Sequence, residues 1–245
     1  MPTPYITYAL IAITALVSWF AFKQPALLER LILWPPAIQR HNQWDRLLTH
    51  GFIHGDMPHL LFNMITLFFF GGVVEAIFVQ RVGYVGFLLF YLLAIVIAIL
   101  PTYLRHRTDR NYRSLGASGA VSAVLFSYIL FSPWSVILVF FIPMPAIVYA
   151  VMYVGYSIWM DRRGGDNVNH SAHLWGALFG VVYQVRRNDP RGAIVLGLLV
   201  VSHWVLDFVS HRPDMPLWPG GPRLGLGLWN SVPVTIAVEL TMFAA

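Results

Sequence analysis

The 245 residues contain no cysteine, which excludes disulfides, thiolate metal sites and a cysteine nucleophile. Charge is also scarce. Asp, Glu, Lys and Arg make up 11% of the chain, against roughly 25% in a soluble domain. Only one lysine is present; the other 15 of the 16 basic residues are arginine. With 58% hydrophobic residues and a mean hydropathy of +0.65, the composition excludes a water-soluble globular enzyme, a disordered chain and a nucleic-acid binder. What remains is an all-α polytopic membrane protein whose surroundings are the lipid bilayer. The net charge of +5 then fixes topology or meets lipid headgroups.

A spanning helix needs about 20 apolar residues, and breakers cut the sequence into runs of that order. Tyr5 to Phe22 is the first, read as a true span because it lacks the basic leader and small-residue cleavage site of a signal peptide. Gln24 to Met57 is too rich in Leu, Trp and Pro for a flexible linker, and is expected to be ordered at the interface. Pro58 to Val79, Tyr84 to Leu104, Leu115 to Phe131, Ala146 to Met160 and Ser171 to Val185 complete a six-span core. Val136 to Ile142 is apolar but stops at Pro143 and Pro145. Beyond residue 188 the texture changes, and residues 189–245 form an extension with one or two further apolar spans.

Polar groups in a bilayer core are costly, so the few that remain are candidates for function. His59 and Asn63 are four residues apart and share a helix face, with His54 just upstream. They suit either a metal site or a packing network. Ser118 lies in Gly116-Ala117-Ser118-Gly119, at the start of a run of small residues. Such a string serves close packing; it also lets backbone N–H groups at a helix start approach a substrate carbonyl. His173 alone suits a helix contact. Together, a serine, a later histidine and an earlier His/Asn pair supply a nucleophile, a base and oxyanion donors.

The order and context of these residues resemble the rhomboid family of intramembrane serine proteases. Trp44-Asp45-Arg46, the stretch from His54 through His59 to Asn63, and Gly71-Gly72 with Glu75 carry the likeness. So do Gly116 to Gly119 and Ala172-His173 with Gly176 and Gly180. The resemblance implies a catalytic core over residues 1–188, with Ser118 as nucleophile and His173 as base and then acid. It implies His59 and Asn63 as oxyanion donors, with Gly116 and Ala117 lining the same site. His54, Glu75, Gly119, Gly176 and Gly180 would be structural, and Trp44 and Arg46 would anchor the first loop in the membrane. No cofactor is implied. Transmembrane segments of other proteins would be the substrates. The compartment implied is a bacterial inner membrane, with the site opening to the periplasm.

Two features depart from that pattern. The family often carries a tyrosine one turn after the serine, stacked on the histidine; here the position is Ser122. The extension has its own polar set, His203, Asp207 and His211, spaced by four along one helix face. A metal-dependent membrane hydrolase built on that set is an alternative function. An inactive rhomboid-like chaperone that binds transmembrane segments is another. Arginines crowd the loops around residues 24–57 and 105–114, and the positive-inside rule would place these loops in the cytoplasm. The family places them outside, and that orientation is adopted. A cysteine introduced at Asn111 is expected to react with an impermeant thiol reagent on intact cells; absence of labelling would favour the charge rule.

Overall fold

The computed structural model describes residues 2–139, 142–163, 169–185, 215–216 and 223–224. The chain divides into two compact units, residues 1–192 and 193–245. In the second, Met215–Pro216 (β3) pairs antiparallel with Arg223–Leu224 (β4). The expected seventh and eighth spans, and His203, Asp207 and His211 with them, lie outside the described residues.

The first unit is a helical bundle. α1 (Tyr5–Lys23) buries Thr7, Leu10, Thr14, Ser18 and Ala21. That spacing of three and four residues defines one face. Tyr8, Ile13, Leu16, Trp19 and Phe20 are exposed instead. Apart from Leu10, the fully buried side chains of α1 are small or hydroxylated, while many of its large apolar ones face outward. α5 (Met57–Arg105) also exposes large apolar side chains, among them Leu61, Phe62, Ile65, Phe68 and Phe69, while it buries others such as Leu67, Phe87 and Tyr91. By length and composition α1 and α5 each suffice to cross a membrane.

The two runs expected at Pro58 to Val79 and Tyr84 to Leu104 are the two limbs of α5, which turns back on itself at Gly83 (φ 76°, ψ 176°). That backbone conformation is essentially confined to glycine. The return is visible in ring contacts between the limbs. Phe78 meets Phe87 at 5.7 Å and Phe90 at 4.9 Å between centroids.

Between α1 and α5, the interfacial segment folds into short helices: α2 (Pro25–Leu31), α3 (Pro35–His41) and α4 (Arg46–Thr49), followed by a 3-10 turn at His50–Phe52. Prolines open α2 and α3, where a missing N–H costs nothing. Arg46 is turned inward and is 5% exposed. Its guanidinium donates to the Glu29 and Ile32 carbonyls and to Gln43 Oε1. This corrects the expectation of a membrane anchor, because every one of these partners belongs to the segment itself. Trp44 is exposed and lies edge-on to Tyr103.

α6 (Ser118–Phe131) begins three residues later than expected, because Gly116 has φ 118° and holds the chain extended. Almost every residue of α6 is buried, as befits a helix apolar all round. The apolar run beyond it forms a hairpin, β1 (Val136–Val139) with β2 (Ile142–Pro145), with Val136 opposite Pro145. α7 (Ala146–Arg163) and α8 (His170–Val185) follow.

α6 and α8 meet backbone to backbone. A Cβ at Gly176 would overlap the Gly119 carbonyl, and one at Gly180 would overlap the Ala123 carbonyl. Ser127 Oγ donates to the Gly180 carbonyl at 3.4 Å. Gly176→Val must therefore separate the two helices. Overpacking of this kind costs about 1–3 kcal/mol. The variant is expected to unfold at lower temperature than the wild type in detergent; an unchanged midpoint would mean that the helices do not touch at this point.

Candidate active site

The serine reaches its position through a stitched loop. Leu33 and Ser114 exchange both backbone hydrogen bonds, at 3.0 and 3.2 Å. Trp34 Nε1 donates to the Arg110 carbonyl, and the Arg113 guanidinium lies 4.4 Å from the Trp34 ring centroid. The Gly116 N–H donates to the His50 carbonyl at 2.9 Å. The chain is thus led down against the interfacial segment before α6 starts at Ser118, which leaves the serine half-buried.

The histidine is set by Asn169. Its Oδ1 accepts from the Ala172 N–H at 3.0 Å, the bond an N-cap residue makes. Its Nδ2 reaches Tyr112 Oη and Ser114 Oγ, both at 3.2 Å. The same side chain therefore ties the start of α8 to the loop that delivers Ser118. The head of α6 lies against the first turns of α8: a Cβ at Gly119 would come within 3.3 Å of the Ala172 carbonyl. Ser118 and Ala172 line one small cavity with His50, Ser114, Gly116 and Asn169. His173 follows Ala172, half-buried, with Tyr153 of α7 stacked on its ring at 6.0 Å.

The third side belongs to α5. Asp56 caps that helix by accepting from the His59 N–H at 2.7 Å. The His59 ring lies against Gly116, where a Cβ would fall 2.7 Å from its Cε1. Gly116 is thus required twice, by its positive φ and by this close approach. Asn63 is 6% exposed and donates one Nδ2 hydrogen to the His59 carbonyl at 2.9 Å, leaving the other.

Two backbone N–H groups just before α6 are already committed. The Gly116 N–H goes to the His50 carbonyl, and the Ala117 N–H goes to His54 Nε2 at 3.4 Å. Neither is free for an oxyanion, so these two residues shape the loop instead, and the Ser118 N–H is the backbone donor left at this point. Glu75, 1% exposed, is far from these groups. It accepts from the Ile6 and Thr7 N–H groups and from Thr7 Oγ1, at 2.7 to 2.9 Å. It therefore caps the first turn of α1. Among the described residues no three His, Asp or Glu side chains converge as metal ligands would.

The chain was compared with known families and proteins. The Rhomboid domain matches residues 41–187. The chain belongs to the rhomboid family. The match takes in His59, Asn63, Ser118, Asn169 and His173, and leaves out Leu33 and Trp34 of the interfacial segment and the α1 groups bonded to Glu75. A mitochondrial RHOMBOID-like protein 12 from Arabidopsis thaliana is 30% identical over 187 residues, 71% of this chain and 55% of that protein. The Bacillus subtilis (strain 168) protein named "Putative rhomboid protease YdcA" is 32% identical over 132 residues, 51% of this chain and 61% of that protein. The human mitochondrial presenilin-associated rhomboid-like protein is 33% identical over 142 residues, 56% of this chain and 36% of that protein. The chain thus spans about a third to three fifths of the length of these relatives. It is an integral membrane protein of rhomboid type. Its relatives come from organelles and from a bacterium, so they do not single out the bacterial inner membrane expected from the sequence.

Behind the rhomboid site runs a chain of hydrogen bonds that sequence reasoning missed. The Ala117 N–H occupies His54 Nε2, so the neutral ring carries its proton on Nδ1. Nδ1 then donates to Ser18 Oγ, 3.0 Å away, and Ser18 Oγ donates to the Phe52 carbonyl at 3.1 Å. Ser18 falls on the buried face of α1, but periodicity does not reveal its partner. Burial pushes the His54 imidazole down to about 3, helped by His59 nearby. Burial also pushes His50 down to about 4.

Both rings are therefore neutral in the folded protein and bind protons more readily once unfolded. The stability they contribute is complete above about pH 6.5 and is lost as pH falls toward 4 for His50 and 3 for His54. Thermal unfolding in detergent is expected to be flat above that pH and to drop on the acid side. His54→Asn should remove about 1.4 kcal/mol per pH unit of that slope; an unchanged slope would show that His54 is not held neutral.

Proposed function

We propose that this rhomboid is an intramembrane serine protease acting through a Ser118–His173 dyad. The observation that supports it most is the backbone contact of Gly119 with Ala172 and Gly176, which lays the histidine-bearing turn of α8 beside the head of α6. The relative whose name includes a rhomboid protease supports the same reading. In this reading α1, the two limbs of α5, α6, α7 and α8 cross the membrane, and residues 1–188 form the catalytic unit.

The chemistry follows from the groups present. Ser118 Oγ attacks the scissile carbonyl while His173 takes its proton. The carbonyl oxygen becomes an anion, met by the Ser118 N–H, the remaining Asn63 Nδ2 hydrogen and the His59 ring. His173 returns the proton to the leaving amine, then activates a water that hydrolyses the acyl-serine. Starting α6 below the loops gives water a route to the bond. The substrate is a transmembrane segment whose helix is weak enough to present an extended stretch. The arginine-rich loops surround this end of the bundle; in a bacterial host that end would face the periplasm.

A fluorophosphonate probe is expected to label the wild-type protein, with labelling lost in Ser118→Ala. Ser118→Ala and His173→Ala should each cut cleavage of a helical membrane substrate by at least about 10³-fold, with the unfolding midpoint of Ser118→Ala unchanged. Folded wild-type protein that neither labels nor cleaves, yet binds transmembrane segments, would replace this reading with that of a membrane chaperone.

A further inference from the structure

Ser122 stands one turn beyond Ser118 on α6 and is 2% exposed. A serine there has no ring to offer His173, and it leaves space beside the base. Tyr153 of α7 enters that space. Its hydroxyl meets Ser122 Oγ at 2.6 Å, at the short end for two hydroxyls. Phe126, one turn further along α6, flanks the ring at 5.6 Å and 57°, and Tyr149 flanks it at 5.7 Å and 45°. The ring is thus held at its tip and along its sides. It lies nearly parallel to His173, at 6.0 Å between centroids and 24° between planes. His173 also lies edge-on to His170, at 5.6 Å and 72°, whereas the nearly parallel ring is that of Tyr153.

We propose that Tyr153, held by Ser122, is the positioning residue for His173, so that the plane of the general base is set from α7. This rests on the reading of Ser118 and His173 as the dyad. A base must point at the serine hydroxyl within narrow limits, since a displacement of about 1 Å costs about 10²-fold in rate. A ring pinned at its tip supplies such a limit. The same π face also attracts the imidazolium formed as His173 takes the serine proton, so the contact is strongest when the base is charged. Ser122 and Tyr153 act as one unit: the short side chain admits the ring, and its hydroxyl fixes the ring's height.

The test compares full-length wild type with Tyr153→Leu, Tyr153→Phe, Ser122→Ala and the double variant Ser122→Ala/Tyr153→Phe. Cleavage of a fluorogenic transmembrane peptide gives kcat and KM; labelling by a fluorophosphonate gives the acylation rate. Tyr153→Leu is expected to lower kcat and labelling by about 10²-fold with KM unchanged. Tyr153→Phe keeps the ring and should recover most of that loss. Ser122→Ala should match Tyr153→Phe, with the double variant no worse than either, since all three remove the same hydrogen bond. Wild-type kcat in Tyr153→Leu, a loss confined to KM, or a Phe variant as impaired as Leu would overturn the proposal. If Tyr153→Leu does not fold, the other variants decide it: additive losses for Ser122→Ala and Tyr153→Phe overturn it, and a shared loss in kcat upholds it. Wild-type protein that neither labels nor cleaves removes the protease reading itself. An active wild type with an equally active Tyr153→Leu removes only the positioning role.

Discussion

The approach of α6 to α8 is the constraint from which the rest follows. Two glycines on α8 remove the side chains that would otherwise hold the helices apart, and the Gly119 and Ala123 carbonyls fill the vacated space. In a bilayer, apolar side chains gain little by leaving lipid for protein, so association depends on close packing. Small residues at this seam are therefore a condition of assembly. They also place the turn that carries His173 beside the residue that begins α6. Stability of the bundle and assembly of the site are one geometric fact here.

α1 brings hydrogen-bonding side chains to the inside of the bundle. Thr7, Thr14 and Ser18 of α1 face inward while Tyr5, Tyr8, Trp19 and Phe20 face outward. Each buried polar group is costly unless it is paired, and the pairings at both ends of α1 are local and specific. Glu75 takes the unsatisfied N–H groups of its first turn, and Ser18 takes the His54 ring near its other end. The interfacial segment obeys the same rule through Arg46, whose donors go to the Glu29 and Ile32 carbonyls and to Gln43 Oε1. These bonds hold the loops that in turn carry Gly116 and Ala117.

The sequence made the helical membrane class legible through hydropathy alone, since 11% charge leaves no other fold for so apolar a chain. Ser118 and His173 were legible through their neighbours, because Gly119, Gly176 and Gly180 advertise a close helix contact. Other features were hidden for physical reasons. The reversal at Gly83 looks like any other glycine in an apolar run. The bonds from the Gly116 and Ala117 N–H groups to His50 and His54 were hidden because such partners are set by tertiary contact. Tyr149, Tyr153 and Tyr156 all sit on α7, and composition cannot say which ring meets the histidine. Ser122 announced that an aromatic was missing; only the packing of a third helix reveals where one comes from.

The pairing of α1 at both ends makes that helix a gauge of rotational phase. Thr7 at the Glu75 end and Ser18 at the His54 end are eleven positions apart, about three turns, so both lie on the same side of α1. Adding or removing a single residue between them would swing one end by about 100° relative to the other. Either the glutamate or the histidine would then face an apolar side chain. Length variation in α1 is thus confined to whole turns, even though its outer surface asks only for greasiness. A helix that carries neither Ser118 nor His173 in this way sets the register of the loop that leads to Ser118.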